Sequence, residues 1–284
     1  MDAPKHEYPV RVIGPRSGWL DLDLRELWAA RDLVALFVRR NVLAQYKQTA
    51  LGPLWFVLQP LLTTLVFTVV FGRVARLPTD GLPQALFYLC GVVAWRFFAD
   101  CLTTVSSCLR ANAALLGKVY FPRLAVPLAV VLTGAVTFVV QFAIFLCVLG
   151  YFLWAGAPAA PGPWALLTPA LVLLMAALGL GLGLLVAALT VRYRDLGFVV
   201  AFGVQLLLFA SPVIYPLSLV PEGWQALALA NPMAAILEAL RFGLLGQGLA
   251  PGLPLGVAAA VSLGVLLLGL AAFSRVEKNF MDTV

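Results

Sequence analysis

Six stretches of this chain are long and apolar enough to cross a bilayer, and that constraint leaves little freedom in the fold. A spanning helix needs about 20 mainly apolar residues. The stretches are 51–71, 81–105, 124–154, 164–191, 196–219 and 252–273. The second is interrupted by Arg96 and Asp100, and the third is long enough to tilt within the membrane. Composition agrees: 62% of residues are hydrophobic and 11% charged, against roughly 45–50% and about 25% in soluble domains. The expected fold is an all-α integral membrane protein with six transmembrane helices.

Basic residues are distributed unevenly along this pattern. Positive charge accumulates in cytoplasmic loops and tails. The tail before the first span carries Lys5, Arg11, Arg16, Arg25, Arg31, Arg39, Arg40 and Lys47; the second loop carries Arg110, Lys118 and Arg123; the fourth carries Arg192 and Arg194; the C-terminal tail carries Arg275 and Lys278. Arg73, Arg76, Arg96 and Arg241 are the exceptions. This asymmetry predicts a multi-pass protein with both termini in the cytoplasm. It also accounts for the net charge of +6 without nucleic-acid binding, because the charges sit between apolar spans. The expected domains are a cytoplasmic tail with a surface helix (1–50), a transmembrane domain (51–273) and a cytoplasmic tail (274–284).

Two amphipathic segments stand apart from the spans. From Leu24 to Arg40, the residues Leu27, Ala30, Val34, Phe37 and Val38 share one side at 100° per residue, with Arg25, Asp32 and Arg39 opposite. That pattern predicts a helix lying on the membrane surface. From Pro221 to Gly248 the chain is moderately apolar but carries Glu222, Glu238 and Arg241, and Pro232 breaks a continuous span. Two short helices packed at the outer surface are expected there.

The chemistry available is narrow. His6 is the only histidine and lies in the polar N-terminal tail, where no cleavable signal is expected. Cys90, Cys101, Cys108 and Cys147 lie in or beside apolar stretches, without metal-ligand spacing. No carboxylates are paired for glycosyl transfer, so an enzyme is not expected. The phosphate-cradling pattern G-x-x-x-x-G-K-[ST] is missing: Gly117-Lys118 is followed by Val119, with no glycine five residues earlier. If ATP drives this protein, another chain hydrolyses it, and no cofactor is expected on this one.

Three features invite a functional reading, each beside a plainer one. The loop Leu109–Arg123 favours a short helix with apolar knobs, suited to gripping a soluble partner or serving as an ordinary turn. Arg96 and Asp100 share a helix face; they form either a self-neutralised buried pair or the lining of a polar route. Phe56, Gln59, Thr63, Phe67 and Phe71 align on the first span, and Phe198, Phe202, Gln205 and Phe209 on the fifth. Aromatic faces with interspersed amides suit sliding sugars, yet such stripes also serve packing or face lipid. A passive channel is disfavoured because no helix displays a continuous polar stripe.

Several motifs then point one way. They are Arg31-Asp32-Leu33, Arg39-Arg40-Asn41, Tyr46-Lys47-Gln48-Thr49, Leu51-Gly52-Pro53-Leu54-Trp55 and Gln59-Pro60-Leu61, followed by Val70-Phe71-Gly72-Arg73 and Lys118-Val119-Tyr120-Phe121-Pro122-Arg123. Arg192-Tyr193-Arg194-Asp195, the run from Ser211 to Pro216, Asn231-Pro232-Met233 and Glu238 with Arg241 complete the set. In this order, from about Leu24 to Phe280, the chain resembles permease subunits of ABC-2-type polysaccharide exporters of the O-antigen, capsule and teichoic acid kind. Arg96 departs from the uncharged residue expected at its place.

The resemblance implies a homodimer in the bacterial inner membrane, with two copies of an ABC ATPase subunit holding ATP and Mg. The substrate would be a lipid-linked polysaccharide, O-antigen first. Leu24–Arg40 would be an interface helix, and Pro221–Gly248 would form external gate helices. Asn112, Leu115, Leu116, Lys118 and Tyr120 would couple to the ATPase. Arg192 and Arg194 would receive a lipid pyrophosphate, unless they serve topology alone. The two aromatic stripes, with Trp95 and Arg96, would line the translocation path. A permease for a drug or small lipid is the alternative.

The orientation is testable. A single cysteine at Ala157, in a background lacking the native cysteines, should react with an impermeant maleimide in intact cells. Labelling only after permeabilisation would reverse the topology.

Overall fold

The computed structural model describes residues 24–47, 51–112, 121–190 and 195–279. Among these the regular structure is helical. A short helix α1 (Leu24–Ala29) leads into α2 (Arg31–Tyr46). The first span begins with a 3₁₀ turn, continues as α3 (Trp55–Phe67) and ends as a π-helical stretch, Thr68–Val74. Then follow α4 (Gln84–Ala111), α5 (Ala125–Trp154) and α6 (Thr168–Thr190). The remainder is α7 (Leu196–Ala210), α8 (Glu222–Ala230), α9 (Pro232–Leu245) and α10 (Leu253–Asn279).

Five of these segments are long and apolar enough to cross a membrane: Gly52–Val74, Gln84–Ala111, Ala125–Trp154, Pro163–Thr190 and Leu253–Arg275. The stretch expected as a fifth full span differs. Its helix, α7, has 15 residues, about 22 Å at 1.5 Å per residue, and stops short of the roughly 30 Å hydrocarbon layer. Ser211 is extended, as the residue before a proline prefers to be, and Pro212 turns the chain inward. Ser211, Val213 and Ile214 are buried.

The break at Pro232 is present: α8 and α9 meet at 104°. Asn231 caps α9, its side chain accepting from the Met233 amide, and Pro232 occupies the first turn, where its missing N–H costs nothing. Gly246 ends the helix at φ 75°, the left-handed conformation glycine adopts freely. The two helices do not lie alike. α8 is largely exposed, whereas α9 is enclosed by α4, α6, α10 and the turn at Pro163–Leu167. Of the two short helices, α8 lies at the surface of the bundle and α9 within it.

Within the chain α4 is the central post. Its apolar window is 78% buried, against 11% for the first span and 17% for the last. Glycines on α6 explain how closely the post is held. A Cβ at Gly179 would stand 2.7 Å from the Cys101 Cβ, and one at Gly183 would stand 2.7 Å from the Val105 Cβ, so both face α4. A Cβ at Gly181 would stand 2.7 Å from the Leu266 Cα, and Gly269 of α10 meets the Gly181 carbonyl. Small residues permit such backbone approach where lipid supplies no hydrophobic drive between helices.

The first and second spans are joined by a polar device. The π-helical turn frees the Gly72 carbonyl, and Gln84 Nε2 donates to it at 3.1 Å. A side chain on Gly72 would occupy the place of the Gln84 amide. At the other end of the bundle, α2 rests on the foot of α5. Val34 and Phe37 are buried, and Phe37 meets Phe121 edge-on at 5.6 Å. Arg40 Nη2 donates to Asn112 Oδ1 at 3.2 Å, and Arg110 Nη2 donates to the Thr190 carbonyl at 3.0 Å. The foot of α4, the start of α5 and the end of α6 thus gather with α2 at one end of the bundle.

This packing predicts that Gly181→Val forces α6 and α10 apart. Overpacking of this kind costs about 1–3 kcal/mol and should lower the melting temperature of detergent-purified protein. Gly264→Ala, on an open face of α10, should leave it unchanged.

Candidate functional site

A cavity of about 730 Å³ lies between α2, α3, α4 and α5. Polar side chains line it from each helix. Asn41 and Gln45 of α2 stand at one end, and α3 contributes Trp55, Phe56 and Gln59. α4 presents Arg96, Asp100, Thr104 and Ser107, with Asn112 at its foot, while α5 presents Thr133, Thr137 and Gln141. From Val130 to Gln141 the chamber follows α5 for about 16 Å at 1.5 Å per residue. It therefore runs from the α2 end well into the apolar body.

The polar residues recur every three or four positions on α4 and α5, the spacing that puts them on one helix face. This corrects the reading that no helix carries a continuous polar stripe. Thr133 Oγ1 donates to the Ala129 carbonyl at 2.7 Å, and Thr137 Oγ1 to the Thr133 carbonyl at 3.3 Å. Such back-bonding lets a hydroxyl sit in an apolar helix without an unpaired donor. Gln141 is 2% exposed, and its Nε2 has no hydrogen-bond partner among the described residues. Arg96 Nε lies 3.5 Å from Asp100 Oδ2, with the two side chains 31% and 50% exposed.

The expected path residues separate into groups. Phe56, Gln59 and Arg96 line the chamber. Thr63 Oγ1 donates to the Gln59 carbonyl at 2.9 Å. Phe67 meets Phe71 and Tyr88 edge-on at 5.4 and 6.2 Å, filling the seam between the first two spans. Trp95 is buried edge-on against Phe98 at 5.4 Å. On α7, Phe198, Phe202, Gln205 and Phe209 are exposed, so within one chain the two stripes do not form a common wall. Asn112 lies at the chamber mouth, its Nδ2 donating to the Cys108 carbonyl at 2.9 Å. Leu115, Leu116, Lys118, Tyr120, Arg192 and Arg194 lie outside the described residues.

A second cluster assembles motifs that are far apart in sequence. Arg241 of α9 is 1% exposed. Its Nη1 donates to the Pro212 carbonyl and, at 3.2 Å, to Glu238 Oε1; its Nη2 donates to the Val213 carbonyl at 2.9 Å. The guanidinium stacks 3.8 Å from the Phe87 ring centroid. Asn231 Nδ2 donates to Ser211 Oγ at 2.8 Å. A Cβ on Gly91 would stand 2.9 Å from Arg241 Nη2, so α4 leaves room for the guanidinium. Sequence reasoning set Arg241 among the exceptions to the charge asymmetry, in a moderately apolar segment expected at the outer surface; its burial in this cluster went unread.

Fold and chamber define a polytopic helical membrane protein with a polar interior and no metal-binding cluster among its described residues. The sequence model described as "ABC-2 type transporter" matches residues 32–245, and the chain belongs to that family. It is 31% identical over 264 residues to the O-antigen export system permease protein RfbA of Myxococcus xanthus, covering 92% of this chain and 98% of that one. The Klebsiella pneumoniae protein of the same name is 24% identical over 88% of this chain and 94% of its own. The polysialic acid transport protein KpsM of Escherichia coli is 22% identical over 88% and 95%.

Breaking the buried ion pair should be costly. Arg241→Met leaves a carboxylate and two carbonyls without their donor. Removing one partner of such a pair costs about 3–5 kcal/mol, read as a large fall in melting temperature or loss of folded protein. Adding Glu238→Gln should restore part of it by removing the uncompensated charge.

Proposed function

We propose that this chain is the membrane-spanning permease subunit of an ATP-driven polysaccharide exporter, with lipid-linked O-antigen as the first candidate cargo. The observation that carries the reading is family membership over residues 32–245, joined to near full-length similarity to permeases named for O-antigen and polysialic acid. The polar chamber supports it, since an apolar cargo would gain nothing from amides and hydroxyls at that depth.

Two protomers and two separate ATPase subunits make up the working unit in this reading. The charge distribution favours placing the α2 end in the cytoplasm of the inner membrane. There α2 acts as the interface helix, and the segment from Asn112 through Leu115, Leu116, Lys118 and Tyr120 engages the ATPase, which holds ATP and Mg. Arg192 and Arg194 receive the pyrophosphate of the carrier lipid, because a guanidinium fork bonds two phosphate oxygens together. The stripe Phe198, Phe202, Gln205 and Phe209 completes the path against the partner protomer, with α8 and α9 at the outer end.

Deleting the gene should remove one surface polysaccharide and leave its lipid-linked precursor inside the cell. Complementation with Phe202→Ala and Phe209→Ala should give reduced export. The purified complex should keep its melting temperature, because these rings are 62% and 53% exposed rather than core. An unchanged glycan with new sensitivity to an amphiphilic drug would favour the small-cargo alternative.

A further inference from the structure

We infer that the chamber between α2 and α5 is a glycan subsite within each protomer, holding a short, electrically neutral stretch of oligosaccharide. The inference rests on the polysaccharide reading and adds a location and a chemical class to it.

The first ground is Gln141. A buried amide without a partner is unfavourable and rare in native proteins, and this one ends a polar stripe facing the cavity. Rotation of the amide about its soft terminal torsion would turn Nε2 toward the cavity, where a ligand hydroxyl would accept from it. The second ground is the complementary capacity around it. Thr133 and Thr137 spend their protons on backbone carbonyls, and Ser107 Oγ lies 3.2 Å from the Thr104 carbonyl, to which it donates. Their oxygens keep acceptor capacity. The lining thus offers donors and acceptors side by side, as polyols require.

Charge decides against a phosphate. The cation in the lining, Arg96, already faces Asp100 at 3.5 Å, and Asp100, half exposed, would repel an anion. A neutral sugar meets no such penalty. Trp55 and Phe56 on the α3 wall supply apolar faces for the C–H side of a pyranose. A volume of about 730 Å³ falls within the roughly 300–1,000 Å³ of small-molecule sites, large for an ion and suited to a few sugar rings.

The test uses the full chain with its ATPase in cells that make the glycan. Gln141→Leu with Thr137→Val keeps volume and removes hydrogen-bonding capacity. Export should fall about tenfold, the effect expected of one or two lost hydrogen bonds. The melting temperature should hold to within a few degrees, because the Gln141 Nε2 has no protein partner to lose and Thr137 gives up only a long 3.3 Å bond to its own helix. In parallel, a benzophenone amino acid at Val130 should form an adduct that reacts with antibody to the surface glycan. The same group at Val139, exposed on the outward face of α5, should not. Normal export, or an adduct with phospholipid alone or with nothing, would overturn the subsite. If gene deletion still abolishes the glycan, the exporter reading survives that loss; if deletion leaves the glycan unchanged, both fall together.

Discussion

The buried guanidinium of Arg241 is what permits this bundle to contain a broken span. Non-helical backbone at membrane depth is tolerated only where protein encloses it and satisfies its polar groups. The chain leaves helical geometry at Ser211 and turns inward through Pro212 and Val213. Two of the carbonyls exposed by that turn accept from Arg241. Glu238 balances the charge from one helical turn earlier, and Phe87 covers the guanidinium face. Buried ion pairs contribute little net stability against a well-packed apolar alternative. The role of this one is to fix position: it ties α9, the 211–216 turn and α4 to one another through a rigid fork.

Sequence made the spans legible because hydropathy reports burial in lipid or protein over a long window. The same property does not report helicity: in the fifth stretch Val213 and Ile214 are apolar and buried yet not helical. Pro212 carried the missing information, as the residue before a proline avoids helical geometry. At Pro232 the same kind of signal was read correctly, and the chain bends there by 104°. The buried state of Arg241 was not legible, because a charge in a moderately apolar segment looks alike at a surface and in a core.

The chamber was half legible for a related reason. Periodicity says which residues share a helix face, and it grouped Phe56 with Gln59 and Arg96 with Asp100. It does not say what the face meets. The α7 stripe is a real stripe that points away from the rest of the chain. Thr133, Thr137 and Gln141 escaped notice because threonines in an apolar helix bond their own backbone and read as tolerated rather than functional. Only the neighbouring stripe on α4 reveals that the three face a common space.

Two ion pairs near α4 show how the fold separates fixed polarity from exchangeable polarity. Gly91, which admits Arg241, and Arg96 are five residues apart, about 7.5 Å along the helix. Both cations have an acidic partner within 4 Å, at 3.2 Å for Arg241 and 3.5 Å for Arg96. Their surroundings differ. The Arg241 and Glu238 side chains are 2% and 4% exposed, and the guanidinium also holds two carbonyls, so nothing can exchange with them unless the turn is released. The Arg96 and Asp100 side chains are 31% and 50% exposed and open on the chamber, where solvent or a polar solute can reach them. A charge inside a membrane protein is costly in either setting. Enclosure makes the first a structural tie, and access to the chamber leaves the second available to whatever occupies it.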